Sequence, residues 1–332
     1  MLTQIPHYGH ARPLYTAAHD ATLRASMFIR QMTYLVALGR EKHFARAAEA
    51  CNVTQSTLSA GLKALERELD MRLVVREPRF MGFTPEGERV VEWAAQIIAD
   101  YASLKQDVEV FRGGLKGTLR LGAIPAALPQ ISRLTAPFCA LHQHVTVDIQ
   151  SITSAEIQRG LDKFELDAGV TYLENEPLIG VRKAPLYRER YIFVTPRAGT
   201  WGGASCITWT EAANERLCLL NETMQNRRVL NNLAQSIGLE LEASVTTNSY
   251  LSVCSHVCSG EWSSIIPHTF SYIFAGSEDL AMLDLVDPVH SQTIGLVASD
   301  RDPLSPLARA LMQSAARLNF DATVGAKTFA PA

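Results

Sequence analysis

The chain of 332 residues is long enough for two or three domains, and its 47% of apolar and 20% of charged residues are typical of a globular protein. Its net charge of −3 excludes a protein that is basic over its whole surface, so a partner rich in phosphate must be met by a local basic patch. No segment approaches the roughly 18 consecutive apolar residues of a membrane helix, so no membrane-spanning helix is expected.

The first 26 residues show no regular apolar pattern. They also lack the apolar segment of a secretory signal, so we interpret residues 1–26 as a disordered leader of a cytoplasmic protein, with Met27 as an alternative start of translation. Six cysteines are scattered along the chain. In a cytoplasmic protein this is typical of reduced thiols and not of a disulfide framework.

A DNA-binding domain is predicted over residues 27–84. Ala47 and Ala48 share the apolar face of a short helix, which the turn Cys51-Asn52-Val53 separates from a second helix. In that second helix leucines recur at spacings of four, three and four, at Leu58, Leu62, Leu65 and Leu69. Two short helices on so tight a turn predict a helix-turn-helix, whose second member lies in the DNA major groove.

The second helix opens with short polar side chains. Thr and Ser are favoured N-caps, while Gln offers a donor and an acceptor to adenine, so these residues either only cap the helix or also read bases. After the helix, residues 73–83 predict a β-hairpin wing with arginines that reach phosphates. Residues 27–84 hold nine Lys and Arg against six Asp and Glu. The candidate DNA-binding residues are Arg46, Thr54, Gln55, Ser56, Thr57, Ser59, Lys63, Arg76 and Arg79.

A long helix is predicted over residues 85–113, because Thr84 is a good cap, Pro85 suits the first helical position and Glu86 favours the positive end of the helix dipole. At 1.5 Å per residue, about 28 residues span about 42 Å. Apolar residues recur at alternating spacings of four and three, as in a coiled-coil seam. The stripe packs either on its own domain or, as we expect, against a second copy of the chain. The seam residues are Val90, Ala94, Ile97, Tyr101, Leu104, Val108 and Phe111.

Five short motifs follow one another in this first third: Ala47-Ala48, Thr54-Gln55-Ser56-Thr57-Leu58-Ser59, Leu65-Glu66, Leu73-Val74-Val75-Arg76 and Phe83-Thr84-Pro85-Glu86-Gly87. In order and spacing, residues 30–112 resemble the LysR-type transcriptional regulators. The resemblance implies a regulator that binds double-stranded DNA as a homodimer or homotetramer and controls access by RNA polymerase.

Two positions depart from the family pattern. Ser56 stands where proline is usual, and Ala60 stands where arginine or lysine is common. One contact to DNA is therefore expected to be missing, and Lys63 and the wing arginines are expected to share its role.

Beyond Gly113, strand-like and helix-like segments alternate, which predicts a doubly wound α/β fold. The strand-like segments are 118–124, 145–151, 166–172, 191–195, 217–221, 241–247, 262–267, 282–286 and 293–299, and a last helix is predicted near 306–318. The resemblance implies a periplasmic-binding-protein-like effector domain, 118–325. Its two Rossmann-like subdomains are expected at 118–187 with 299–325, and at 188–298. The predicted fold class is thus α/β and multi-domain, with an N-terminal winged helix-turn-helix, a long linker helix and this effector domain.

Ligands of such folds bind at the carboxyl ends of the strands, where helix N-termini offer amides to small anions. Hydroxyls at three of these strand ends commonly hold the effector in the family. Here the first strand end offers only backbone, which predicts either a small ligand or fewer direct side-chain contacts, and the helix ends favour an anionic effector. Each candidate has a structural alternative, as an N-cap for Ser154 or Ser249 and as a surface loop residue for His268. The candidates are Ile124, Pro125, Thr153, Ser154, Asn248, Ser249, Pro267 and His268.

Residues 153–178 resemble a subgroup of the family that is associated with formate dehydrogenase operons and responsive to formate. Formate is therefore the expected effector and such an operon the expected target. The alternatives are a regulator with another effector, a solute-binding protein, and a redox-sensing regulator that uses Cys254 and Cys258. These cysteines lie four residues apart, on one face of a predicted helix, and a regular helix would need distortion before they formed a disulfide.

Enzyme motifs are missing from the sequence. It has no phosphate-binding loop, no Gly-x-Ser-x-Gly elbow, no His-Glu-x-x-His and no paired Cys-x-x-Cys. We therefore predict a protein that is not an enzyme, without catalytic residues, cofactor or metal.

Overall fold

The computed structural model describes residues 13–77, 79–274, 276–318 and 320, with their side chains from Met27 onwards except those of residues 76, 77 and 79. The chain divides into two compact units, one ending at Lys105 and the other starting at Gln106. The long helix α4 contains the boundary between them.

The first unit is a winged helix-turn-helix, as the sequence predicts. Its elements are α1 (Pro13–Glu41), α2 (Phe44–Ala50), α3 (Gln55–Glu68), β1 (Val74–Glu77), β2 (Arg79–Phe83) and α4 (Pro85–Gly113). Leu58, Leu62 and Leu65 are buried together with the apolar side chains of α1. A Cβ atom at Gly61 would lie 2.7 Å from the ring of Tyr34, so glycine allows α3 to approach α1 closely.

Helix α1 begins at Pro13, well before the end of the leader that the sequence analysis expected. Residues 13–26 are helical backbone in the structure, whereas residues 1–12 lie outside the described residues. Proline is favoured at the first position of a helix, and alanine, the strongest helix former, recurs at 17, 18, 21 and 25. This part of the helix follows from propensity and shows no apolar stripe, which is why the periodicity did not reveal it.

The wing is positioned by the helix before it. Strands β1 and β2 pair antiparallel, with Val74 opposite Phe83. One carboxylate oxygen of Glu66 on α3 accepts hydrogen bonds from the backbone amides of Leu73 and Val74, at 3.0 and 3.2 Å. The Leu-Glu motif of the sequence thus links helix α3 to the wing.

The second unit is an α/β domain with a long shared strand. Its strands are β3 (Gly117–Ala123), β4 (Val145–Ser151), β5 (Ala168–Tyr172), β6 (Val181–Pro196), β7 (Cys206–Thr208), β8 (Leu217–Leu220), β9 (Ala243–Thr247), β10 (Ser264–Pro267), β11 (Leu280–Val286) and β12 (Ser291–Ser299). Its helices are α5 (Leu128–Leu141), α6 (Ser154–Asp162), α7 (Trp209–Ala213), α8 (Gln225–Ser236), α9 (Tyr250–Cys258), α10 (Ser271–Phe274) and α11 (Pro306–Arg317), with 3₁₀ turns at Pro125–Ala127 and His268–Phe270.

Strand β6 joins two halves of this domain. Up to Arg190 it pairs with β12, which continues through β5 and β3 to β4. From Tyr191 it pairs with β10 and β11, and β7 lies beyond β11. The pairing therefore changes partner three residues after the boundary expected at 187. Strand β12 lies in the first half, although residues up to 298 had been assigned to the second, because a strand pattern does not show which sheet the strand joins.

The larger apolar core of the domain extends through both halves. It includes Leu119 and Leu121 of β3, Phe138 of α5, and Ile294 and Leu296 of β12. Among the described residues, no helix has the length and apolar content needed to cross a membrane.

Candidate functional site

The N-terminus of α3 presents an exposed polar surface. Thr54 is the N-cap, and its hydroxyl accepts a hydrogen bond from the backbone amide of Thr57 at 3.2 Å. The same hydroxyl lies 2.9 Å from the hydroxyls of Ser56 and Thr57. Gln55 is exposed beside them. Capping thus occupies Thr54, while the amide of Gln55 faces outward.

The other predicted DNA-binding residues have differing environments. Lys63 is exposed and Ser59 is half-buried. Arg46 is exposed, but its guanidinium donates to the backbone carbonyl of Glu41 at 2.7 Å. The arginines at 76 and 79 lie on the two wing strands, and their side chains are outside the described part of the structure.

The predicted seam of α4 has two parts. Ala94 is fully buried and Val90 is half-buried, packed on the helical core of the first unit. The remaining seam residues are exposed in the single chain, with exposed fractions from 36% to 89%: Ile97, Tyr101, Leu104, Val108 and Phe111. Five apolar side chains in one row on a helix are therefore left exposed by the described part of the chain.

A small cavity lies where helices of the second unit begin. The centre of a water-sized molecule can move through about 20 Å³ of this cavity. On the same measure, one water molecule needs about 10–15 Å³. The cavity therefore fits a molecule of only a few atoms. It is lined by Ile124, Pro125, Ala126, Thr153, Ser154, Tyr172, Leu220, Met224, Gln225, Asn226 and Tyr250.

The structure brings half of the predicted effector residues to this cavity, namely the two pairs Ile124-Pro125 and Thr153-Ser154. The other four are not among its lining residues. Asn248 is exposed, and Ser249 is the N-cap residue of α9. Pro267 pairs with Tyr191 in the sheet. His268 is buried with Nδ1 3.2 Å from the backbone of Arg190, and burial lowers its pKa to about 4, so it is a neutral core histidine and not a surface loop residue.

The first residues of α8, which sequence reasoning missed, connect the two halves of the domain. The hydroxyl of Ser154 donates to the side-chain oxygen of Gln225, and the amide nitrogen of Gln225 donates to the backbone carbonyl of Asn175. Asn226 donates to the hydroxyl of Tyr172 at 2.8 Å. The signal was present in the sequence, because residues 225 and 226 also follow closely on a strand end.

A buried carboxyl group, that of Glu189, contacts Tyr172 of the cavity wall. The hydroxyl of Tyr172 donates a hydrogen bond to this carboxyl group at 2.6 Å. Glu189 is fully buried, and burial raises its pKa to about 8 although the bond from Tyr172 lowers it. At neutral pH this carboxyl is therefore mostly protonated.

The cavity wall is neutral but lies at positive helix ends. In the described part of the chain its lining includes no Lys, Arg, His, Asp or Glu. Four helical segments contribute their first residue to the wall, namely Pro125, Ser154, Gln225 and Tyr250. The N-cap residues of α8 and α9 make no side-chain capping bond in the described structure, which leaves first-turn amides available. Such helix ends favour a small negative charge.

The cysteines of α9 differ from each other. Cys254 is buried, and burial raises the pKa of its thiol to about 11. Cys258 is exposed. The described residues contain no cluster of side chains suited to a metal ion.

Two family models match the chain. Residues 29–88 match the bacterial regulatory helix-turn-helix protein, lysR family, and residues 112–319 match the LysR substrate binding domain. A curated relative is the hydrogen peroxide-inducible genes activator of Escherichia coli O6:H1. It is 27% identical over 283 residues, which are 84% of this chain and 91% of that protein.

Solved structures share the fold over most of the chain. A variant of full-length OxyR from Pseudomonas aeruginosa superimposes with a TM-score of 0.67 at 23% identity, covering 88% of this chain and 98% of that one. Full-length CbnR complexed with its target DNA gives a TM-score of 0.60 at 18% identity, covering 87% and 99%.

Proposed function

We propose a function for this chain on the basis of its family: it belongs to the LysR family of DNA-binding transcriptional regulators. Its α3 reads an operator, α4 pairs two copies in a dimer or tetramer, and the cavity of the second unit binds a small anion. Binding of the anion changes the arrangement of the copies on DNA and thereby the access of RNA polymerase, in the cytoplasm.

The exposed start of α3 supports the reading role. Gln55 is exposed at the end of α3 that enters the groove in helix-turn-helix proteins, and its amide suits the donor and acceptor pair of adenine. Thr57 and Lys63 are exposed on the same helix and suit contacts to phosphates and bases.

The observation that carries the effector proposal is the meeting of three helix starts, those of α6, α8 and α9, at one small cavity. First-turn amides of these helices favour an anion, and the cavity limits it to a few atoms. The 3₁₀ turn at the same wall begins with Pro125, which has no amide proton. Formate has three heavy atoms and one negative charge, so it is our first candidate. An operon for formate oxidation is the corresponding target.

A melting-temperature screen with sodium formate, acetate, nitrite and nitrate tests this proposal. An anion at about 100 times its dissociation constant should stabilise the protein by roughly 2.7 kcal/mol. Ser154→Ala should reduce the effect because Ser154 lines the cavity, whereas Ser132→Ala on the exposed surface of α5 should not. An identical response of the Ser154 variant and the native protein would place the anion elsewhere.

A regulator that senses hydrogen peroxide is the second candidate, favoured by the relative that is named for this role. A thiolate is the form of cysteine that peroxide oxidises, and the raised pKa of Cys254 keeps that thiol protonated. The exposed Cys258 is the accessible group on the same helix. Mass spectrometry of peroxide-treated protein tests the candidate, and unoxidised cysteines together with unchanged DNA binding would exclude it.

A further inference from the structure

Glu189 is a buried carboxyl group to which the proposed effector mechanism has so far given no role. It lies on β6 with none of its surface exposed. Its Oε1 accepts the hydrogen bond from Tyr172, a residue of the cavity wall, while Oε2 has no hydrogen-bond partner among the described residues. One side chain thus separates the carboxyl group from the cavity.

The polar groups around Glu189 come from several elements, and all of them are neutral at pH 7. On its own strand Tyr187 and Tyr191 interact with it electrostatically, as does Tyr250 from α9. Gln292 of β12 stands opposite it in the strand pairing. Tyr172 of β5 bonds to Glu189, and Asn226 of α8 bonds to Tyr172. His290 stacks on Tyr191 and lies beside Gln292, and His268 bonds to the backbone of Arg190.

No cation in the described structure compensates a charge on Glu189. Burial lowers the pKa values of both His268 and His290, which favours their neutral forms. Arg188 and Arg190 flank Glu189 along the strand but are exposed, Arg188 bonded to Ser291 and Arg190 paired with Asp284. A buried carboxylate without a partner charge is strongly disfavoured, so the group holds a proton until the pH exceeds about 8.

The protonation state of Glu189 determines whether the cavity can hold a negatively charged ligand. An anion against Tyr172 and Tyr250 would face a second negative charge across a layer of buried side chains if Glu189 were ionised. Like charges in such a low-dielectric environment repel strongly. With Glu189 protonated, the helix ends are the dominant charges at the cavity and they attract the anion.

We propose that the cavity binds a small monoanion only while Glu189 carries a proton, so that the ligand and the proton are held together as a net neutral pair. This inference rests on the effector site proposed above. Above the pH at which Glu189 ionises, the Glu189 carboxylate must take up one proton from solvent for each anion that binds. The anion remains an anion throughout, and Glu189 acts as a specificity-determining residue that admits one negative charge.

Affinity for sodium formate, nitrite and nitrate, measured between about pH 6.5 and about pH 9.5, tests the inference, because these salts stay ionised over that range. The native protein should lose roughly 30-fold in affinity across it, as ionisation of a single group near pH 8 requires. Glu189→Gln should bind equally tightly at both ends, since the amide is always neutral. Glu165→Gln, which removes an exposed carboxylate of the same domain, should keep the native loss.

Tyr172→Phe gives an independent and graded readout. The hydroxyl of Tyr172 lowers the pKa of Glu189, so its removal should move the loss of anion affinity to higher pH without abolishing it. Equal affinity of the native protein at both ends of the range would overturn the proton requirement and leave the effector site intact. Binding of none of the three anions to the native protein at about pH 6.5 would instead overturn the effector site and this inference with it.

Discussion

Glu189 also contributes to how the stability of the protein varies with pH. Its pKa rises from about 4.5 to about 8 on folding, so the folded protein holds a proton there that the unfolded chain releases in this interval. The contribution of this proton to the free energy of unfolding is fully present below about pH 4.5. It decreases as the pH rises to about 8, by at most about 1.4 kcal/mol per pH unit. We expect Glu189→Gln to remove this part of the decline in urea denaturation. A decline as steep as the native one would contradict the shifted pKa.

In the proposed function, Gln55 is the residue on which base reading depends most directly. Replacement by alanine should weaken binding to the specific operator by about 1–3 kcal/mol and relax the choice of base, because the proposed bidentate contact to adenine would be lost. The fold should be unaffected, since Gln55 is exposed. Fluorescence anisotropy with operator and scrambled duplexes measures both effects. The matched control is Gln96→Ala, an exposed glutamine on α4.

At the scale of elements, helix α4 leaves an apolar row uncovered. Ile97→Asp should weaken the proposed dimer because it places a charge at the first position of that row, and sedimentation should show a lower mass at micromolar concentration. Ala102→Asp adds the same charge at an exposed position outside the seam and should leave the mass unchanged. If both variants remained native in mass, the copies would associate through another surface.

The helices and strands were predictable wherever one strong pattern marked them. The leucine spacing predicted α3, and Thr84 with Pro85 predicted the start of α4, where the hydroxyl of Thr84 accepts from the amide of Gly87 at 2.9 Å. The first half of β6 was missed, because Pro185 and four basic residues interrupt its apolar pattern. That segment is a strand because β12 pairs with it, a long-range contact that local sequence does not show.

The effector cavity was only half predictable for the same reason. Strand ends indicated residues 124–125 and 153–154, and both pairs line the cavity. The strand ends near 248 and 267 fulfilled the same rule but do not line it. The rule identifies the edge of the sheet where a ligand binds, whereas the side chains that meet there depend on how the two halves pack.

For the molecule as a whole, the excess of positive charge is confined to one part of the chain. Residues 27–84 are net positive within a chain of net charge −3, so binding to DNA should depend strongly on salt. With about six phosphate contacts, the logarithm of the binding constant should fall against the logarithm of salt concentration with a slope of about −5. Anisotropy with a duplex from the upstream region of the gene measures this slope. A slope near zero would mean that phosphates contribute little.

The bond between Ser154 and Gln225 satisfies part of the polar wall of the cavity from within the protein. A molecule that enters must exchange its hydrogen bonds for these internal ones, and only the difference appears as affinity. For the proposed effector, this internal bond should displace the dose–response curve towards higher ligand concentrations.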